Sequence, residues 1–350
     1  YSGDNAASLI FEPGKLGLRL SGFYRKDEGF IDNPNESRDV NDFDTVGGRA
    51  VILAQPTEDF EIRLSAFLSR DNAGEATQVD PGSDPADLTF SASPESGAYT
   101  DDFDLLTVRL SYDAGPIQIT SISGYYKRSQ NESRFSAGNT FGFVPFFDSV
   151  DPQVEIDTTS YGINTTRQEQ WTQEFRFVSD LNGRVNFTSG LYFRDKKAQT
   201  ASILRCEGCA VVTTPPNADL LSEINQAEGK QYSGFIEATY SATDRFRLVG
   251  GARYVDDKIV ANIVENRVVN FVPRFDNEGG IIPWTEEDPL GFVFPATILD
   301  AAGFGTSFEF RLKRLLPKAG LEFDVHDDML FYANVALGAR NGGIGQPIAA

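Results

Sequence analysis

Hydrophobic and polar residues alternate along several stretches of the chain. Between Lys15 and Arg25, Leu16, Leu18, Leu20 and Tyr24 fall on one face, and Gly17, Arg19, Ser21 and Arg25 on the other. Period two over about ten residues marks a strand with one apolar and one polar face. It is also about the length that crosses a bilayer as a tilted strand. Further on, Phe60, Ile62, Leu64, Ala66 and Leu68 alternate with Glu61, Arg63, Ser65, Phe67 and Ser69. Val185, Phe187, Leu191 and Phe193 alternate with Asn186, Thr188, Gly190, Tyr192 and Arg194, and Phe246, Leu248 and Tyr254 oppose Arg245, Arg247 and Arg253. The segment 117–127 is less regular, because Ile117, Ile119 and Ile122 do not share a face.

The pattern predicts twelve strands, at 6–12, 16–26, 43–54, 60–71, 102–113, 117–130, 168–180, 184–198, 229–241, 245–259, 312–324 and 329–339. Two kinds of connection join them. Short, turn-rich ones are Pro13 to Lys15, Gln55 to Asp59, Asp113 to Pro116, Asp180 to Gly183, Ala242 to Asp244 and His326 to Asp328. Long, polar ones fill 27–42, 72–101, 131–167, 199–228 and 260–311. The two kinds alternate strictly. In an up-and-down barrel successive connections emerge at opposite ends, so all short turns share one rim and all long loops the other. Outer-membrane barrels have this asymmetry, with short periplasmic turns and longer extracellular loops. Compact soluble domains rarely carry structureless loops this long. The fold class is therefore all-β, an antiparallel up-and-down transmembrane β-barrel present in part. No linker divides residues 1–350, and no separate second domain is expected. Loops near 85, 150, 212 and 285 face outward.

Composition agrees. Phe (28) and Tyr (12) far outnumber Met (1) and His (1), which favours pleated, half-buried surfaces over helices. No run approaches the roughly 18 apolar residues of a transmembrane helix, which leaves a strand-built span open. The net charge of −20 excludes nucleic acid as a partner, since phosphate binding needs surplus Lys and Arg. Acidic loops account for that charge, or an outer mouth that attracts cations. The chain starts at Tyr1, its only Met is Met329, and no signal peptide is present, so it is expected to be internal to a longer sequence.

Four motifs resemble those of TonB-dependent outer-membrane receptors. Trp171-Thr172-Gln173-Glu174-Phe175-Arg176-Phe177-Val178-Ser179 is similar to the family's TQE strand, and Gly190 to Phe193 follows as its Gly-Leu-Tyr-Phe run. Gly250-Gly251-Ala252-Arg253-Tyr254 resembles GGxRY, and Pro317-Lys318-Ala319-Gly320-Leu321-Glu322-Phe323 resembles PKxGLEY. Leu337-Gly338-Ala339-Arg340-Asn341-Gly342-Gly343 is close to KGFRxGG, with Leu337 and Ala339 departing from the usual Lys and Phe. The resemblance spans about residues 6–343, but neither a plug domain nor a TonB box is visible. It implies a bacterial outer-membrane location and energised uptake of a scarce nutrient such as a ferric siderophore, cobalamin, haem or an oligosaccharide. It also implies TonB and its inner-membrane energising complex as partners, acting through a plug, with outer-membrane lipid around the wall. A passive, plugless porin is the second reading, and a soluble β-rich adhesin the third.

No enzymatic constellation is found. His326 lies in a short turn beside Asp327 and Asp328, where a solvated role is expected, and Gly250-Gly251 lacks the helix of a phosphate loop. No cofactor and no metal site are expected. Cys206 and Cys209, spaced as CxxC, read as a small loop disulfide or, less simply, as half of a zinc or redox site. Arg19, Arg25, Arg63, Arg176, Arg194, Arg247 and Arg253 sit on the polar face, since an Arg in lipid costs about 2–4 kcal/mol. They are expected to pair with Glu61, Glu174, Glu237 or Glu322 across strands, to dock a plug, or to hold an anionic substrate. Phe141, Phe143, Phe146, Phe147, Trp284 and Phe292, in the long loops, are the candidate ligand contacts, with packing between loops as the alternative. Tyr24, Tyr125, Tyr126, Tyr254 and Tyr332 are expected in an interfacial girdle.

Overall fold

The computed structural model describes residues 1–34, 39–74, 79, 84, 86, 88–89, 99–136, 159–207, 219–268, 274–275, 281–282, 293–295, 306–326 and 328–339. Its elements in chain order are β1 (Ser2–Glu12), β2 (Leu16–Asp27), β3 (Phe43–Thr57), β4 (Phe60–Ala73), β5 (Tyr99–Asp113), β6 (Ile117–Ser136), β7 (Thr159–Ser179), β8 (Val185–Glu207), β9 (Asp219–Ser241), β10 (Phe246–Val268), β11 (Arg274–Phe275), β12 (Ile281–Ile282), β13 (Val293–Pro295), β14 (Ser307–His326) and β15 (Met329–Ala336). Twelve long strands follow one another antiparallel in the order β1 to β10, β14, β15, and β13 adds to the outer end of β10. Among the described residues β1 and β15 do not pair, so the sheet is open, and no helix is present.

Register divides the sheet into two faces. Leu18 opposes Ile52, Ile52 opposes Leu64, and Leu64 opposes Val108. On later strands Phe175 opposes Leu191, Tyr240 opposes Leu248, and Leu248 opposes Leu321. Strands such as β4, from Phe60 to Leu68, give this face five apolar positions, although β6 and β7 place Ser121, Ser123 and Gln173 on it. Eight residue steps cover about 26 Å along a strand. At the tilt of about 40° usual for such strands, that is about 20 Å of height, close to the apolar belt of an outer-membrane barrel once rim side chains are added.

Among the described residues nothing covers this belt. Leu106 is 50% exposed, Leu191 61% and Leu315 63%. The only buried hydrophobic residues among those described are Ile31 and Val255. Ile31 packs with Val40 and Leu88 where two outer connections meet, away from the belt. An uncovered apolar band across the twelve long strands would aggregate in water, whereas lipid satisfies it. Aromatic rings mark both rims. Toward the long connections Trp171 and Phe193 lie 5.4 Å apart and Phe193 and Tyr232 4.9 Å apart. Toward the short turns Phe60 meets Tyr112, and Phe246 meets Phe323, each at 6.5 Å.

The structure corrects two expectations, the strand ends and two of the girdle tyrosines. At the outer rim strands β6 to β10 run well past the predicted ends, with β6, β8 and β10 reaching Ser136, Glu207 and Val268 and β7 and β9 starting at Thr159 and Asp219. Beyond the belt both faces are polar, as in Thr165-Thr166-Arg167-Gln168, so strict pairing persists where alternation fades. Tyr126 is not a girdle residue. It follows Tyr125 directly and so points to the opposite face, opposite Leu105 and Gln170. Tyr332, opposite Glu322, also lies on the polar face. The irregularity read at 117–127 is borne out: Ile117 and Ile119 lie on the apolar face and Ile122 on the polar one.

Candidate functional site

The polar face is the interior surface once lipid takes the apolar one. All seven arginines singled out in the sequence lie on it, because each occupies the register alternate to the belt. Arg247 pairs across strands with one of the expected glutamates, Glu322, whereas the other arginines are held differently. Arg176 binds Glu174 on its own strand, at 2.9 and 2.6 Å. Arg63 stands 3.7 Å from Glu61, also on its own strand. Arg194 reaches over Gln231 of β9 to donate to Asp257 of β10 at 3.0 Å. Arg247 pairs across strands with Glu322 at 2.8 Å and with Asp324 at 2.6 Å. Glu237 serves Lys318 at 2.7 Å rather than an arginine, passing over Gly251. Arg253 donates to the Ser233 hydroxyl at 3.1 Å. Arg19 makes no hydrogen bond or ion pair among the described residues.

Strands β2 to β6 carry a layered arrangement that the sequence reading missed. Nearest the long connections is a polar layer. Asp101, 6% exposed, takes a bidentate interaction from Arg128 and a hydrogen bond from Tyr99. Gln130 donates to Tyr99 and Asp101, and Thr45 donates to Asp71. Asp101 lies beyond the apolar belt, and the Arg128 guanidinium beside it holds its carboxyl below the usual carboxylate range.

Beneath that layer four rings cross five strands. Phe23 of β2 lies over Gly47 of β3 and reaches Phe67 of β4, stacked with centroids 6.4 Å apart. Phe67 and Phe103 are 6.1 Å apart, and Phe103 and Tyr126 are 5.8 Å apart. The absence of a side chain at Gly47 lets Phe23 cross, since a Cβ there would collide with the ring and lie 2.8 Å from the Leu68 carbonyl oxygen. All four rings are half-buried, so part of each stays open to the interior.

Level with the rings and below them come cations with few anions. Arg49 sits directly opposite Phe67, exposed and without hydrogen bond or ion pair among the described residues. Arg63 and Arg109 face each other across β4 and β5, and Arg109 donates only to the Ser111 hydroxyl at 3.2 Å. Arg19 is on the neighbouring row, through Val51 and Ser65. Four arginines thus share one carboxylate, Glu61, whereas Arg176, Arg194, Arg247 and Lys318 elsewhere on the face each have their own.

Phe141, Phe143, Phe146, Phe147, Trp284 and Phe292 lie outside the described residues. So does Cys209, while Cys206 belongs to the outer end of β8. His326 ends β14 at a short turn, as its surroundings predicted. Among the described residues no group of three or more His, Cys, Asp or Glu is placed to hold a metal.

The family model described as TonB dependent receptor-like, beta-barrel matches residues 55–349. Among solved structures, the ferric yersiniabactin uptake receptor FyuA from Yersinia pestis superimposes with a TM-score of 0.69 at 16% identity, covering 95% of this chain and 44% of that one. The ferric-catecholate import receptor Fiu from E. coli K12, in its open form, gives 0.64 at 12% identity, covering 96% and 52%. The siderophore receptor PiuA from Acinetobacter baumannii gives 0.60 at 12% identity, covering 96% and 47%. The chain therefore spans about half the length of the structures it resembles.

Proposed function

The chain belongs to the TonB-dependent receptor family, of which it carries the β-barrel, and from that we propose that it serves active uptake of a ferric siderophore across the outer membrane. Barrels of this family sit in the bacterial outer membrane, and the family is one of receptors and transporters rather than an enzyme class. The observation that carries the proposal is the pairing of an uncovered apolar belt with an interior wall lined by arginines and rings. The belt places the strands in lipid. The wall offers an aqueous path that discriminates among solutes.

Interior cations have two tasks on this reading. Those matched by carboxylates, such as Arg194 with Asp257 and Arg247 with Glu322 and Asp324, brace neighbouring strands. Those left unmatched on β2 to β5 face the barrel interior, where a plug or a passing ligand supplies negative charge. The open edges of β1 and β15 pair with the strands that complete the barrel, because unpaired backbone is not tolerated in lipid. TonB and its inner-membrane energising complex act on the plug, which then opens the path. Siderophores are favoured as the nutrient because the matching receptors named above take up iron chelates.

The test is growth of an iron-starved host that produces the receptor, on a panel of ferric chelates, with TonB present or deleted. Growth that needs both the receptor and TonB supports active uptake. Growth that persists without TonB indicates a passive channel, and no receptor-dependent growth on any chelate overturns the siderophore assignment.

A further inference from the structure

We propose that the lipid-facing side of β6 and β7 is an interface at which two copies of the receptor pair about a twofold axis normal to the membrane. The inference rests on the belt facing lipid and not on which nutrient is carried. Belt positions on the flanking strands are apolar: Val108 and Leu110 on β5, Leu191 and Phe193 on β8. Between them β6 and β7 place Ser121, Ser123 and Gln173, at the middle of the belt or one step outward from it. Ser123 donates to the Gln173 side-chain carbonyl. The Gln173 amide donates to the Ser121 hydroxyl at 2.9 Å and to the Glu174 backbone carbonyl at 3.2 Å.

Polar side chains at this depth have no water to turn to, so they gain from a contact that hides them from hydrocarbon. Their own network answers only part of that need. Among the described residues the Ser121 hydroxyl accepts from Gln173 and donates to no other group. The Gln173 carbonyl oxygen takes one side-chain hydrogen bond of the two it can accept. A patch with a free donor and a free acceptor is complementary to itself. Lipid chains offer neither, and a second copy offers both.

The charged rim above the patch is self-complementary too. An axis between β6 and β7 sets each β6 residue against the other copy's equivalent of its register partner. Ser123 then meets Gln173, Tyr125 meets Trp171, and Lys127 meets Glu169. Within one copy Lys127 and Glu169 are 4.0 Å apart with side chains 59% and 52% exposed, so each is open to a second partner. Tyr125 and Trp171, each 42% exposed, supply aromatic area. A contact about 35 Å tall and about 15 Å wide, the size of this strip at the usual strand rise and tilt, covers about 1,000 Å² over both copies, enough for a specific interface.

The experiment uses the intact receptor in its outer membrane, with Cys206→Ser and Cys209→Ser removing the native thiols. The reporter Ile119→Cys lies on the belt face of β6, below the polar patch, and leaves that patch unaltered. A bifunctional thiol reagent about 10 Å long, the spacing of packed sheets, should link two copies into a covalent dimer. Leu315→Cys, on the belt face of β14, should give at least about tenfold less. Gln173→Leu with Ser121→Ala and Ser123→Ala should lower the linked fraction from Ile119→Cys about tenfold, with heat-resistant mobility in detergent gels retained because the new side chains suit lipid. Two differently tagged copies, one Lys127→Glu and the other Glu169→Lys, should pair poorly with themselves and well with each other.

No linked dimer from Ile119→Cys, or as much from Leu315→Cys, overturns the proposal. So does a linked fraction that the triple substitution leaves unchanged, and so does a linked product containing a different protein. If the triple variant loses heat resistance, the tagged copies decide: without preference for the mixed pair, the polar patch only braces β6 against β7 and the proposal fails. Uptake by a strictly monomeric receptor leaves the uptake reading standing, so the two fail separately.

Discussion

Arg63 and Arg109 oppose each other directly across β4 and β5 on the interior face, with the nearest carboxylate, Glu61, 3.7 Å from Arg63. Like charges at directly opposed positions destabilise a sheet. Arg109→Glu turns the repulsion into an attraction and should stabilise the barrel by about 1 kcal/mol, read as a higher urea midpoint in detergent. The same change should lower uptake of an anionic chelate. A stabilised barrel with unaltered uptake would detach these arginines from transport.

The two faces can be told apart by adjacent substitutions. Leu64→Arg places a guanidinium in the belt and should cost about 2–4 kcal/mol, enough to reduce the folded, heat-modifiable form in the outer membrane. Ser65→Arg, one residue on, points to the interior and should be tolerated. Equal losses from both would mean that position 65 is not on the open interior wall.

Gly47 is fixed by its neighbour rather than by its own backbone angle. A methyl group at this position meets the Phe23 ring and the Leu68 carbonyl oxygen. Gly47→Ala should therefore cost about 1–3 kcal/mol by overpacking. Adding Phe23→Ala should recover part of that loss, which a double-mutant cycle in urea would measure.

Asp101 organises the outer end of the ring layer through Arg128, Tyr99 and Gln130. Asp101→Asn should cost about 1 kcal/mol, a modest figure because the Arg128 side chain is 38% exposed and screened by water. The carboxyl is held below its ordinary range. Its contribution is therefore complete above the ordinary carboxylate pKa and fades as pH falls toward the lowered one. The wild type should lose stability in that acid window, and the Asn variant should lose less.

Much of this was legible in the sequence. Residues such as Leu16, Leu18 and Leu20 state their face by alternation, and the short turns near Pro13, Asp113 and Asp244 state their rim. The arginines of the interior were readable for the same reason, since lipid excludes them. What escaped was pairing geometry. Arg194 reaches Asp257 over an intervening strand, a relation that no spacing along the chain encodes. The ring layer escaped too, though it left a trace: Phe67 stands in the polar register among Glu61, Arg63, Ser65 and Ser69, and Phe23 between Ser21 and Arg25. A large aromatic residue on a polar face is the signal that was passed over in favour of the loop aromatics. The outer ends of β6 to β9 escaped because polar residues on both faces erase the period that marks a strand.

Every functional conclusion depends on which face meets lipid, and that is open to direct measurement. Single cysteines at positions 62 to 69, in a background with Cys206 and Cys209 replaced by serine, can be challenged in the membrane with a water-soluble thiol reagent and with a lipid-partitioning one. The account predicts strict alternation: positions 62, 64, 66 and 68 react from the lipid, and 63, 65, 67 and 69 from water. Water-phase labelling of 62, 64, 66 and 68, or labelling without alternation, would contradict it.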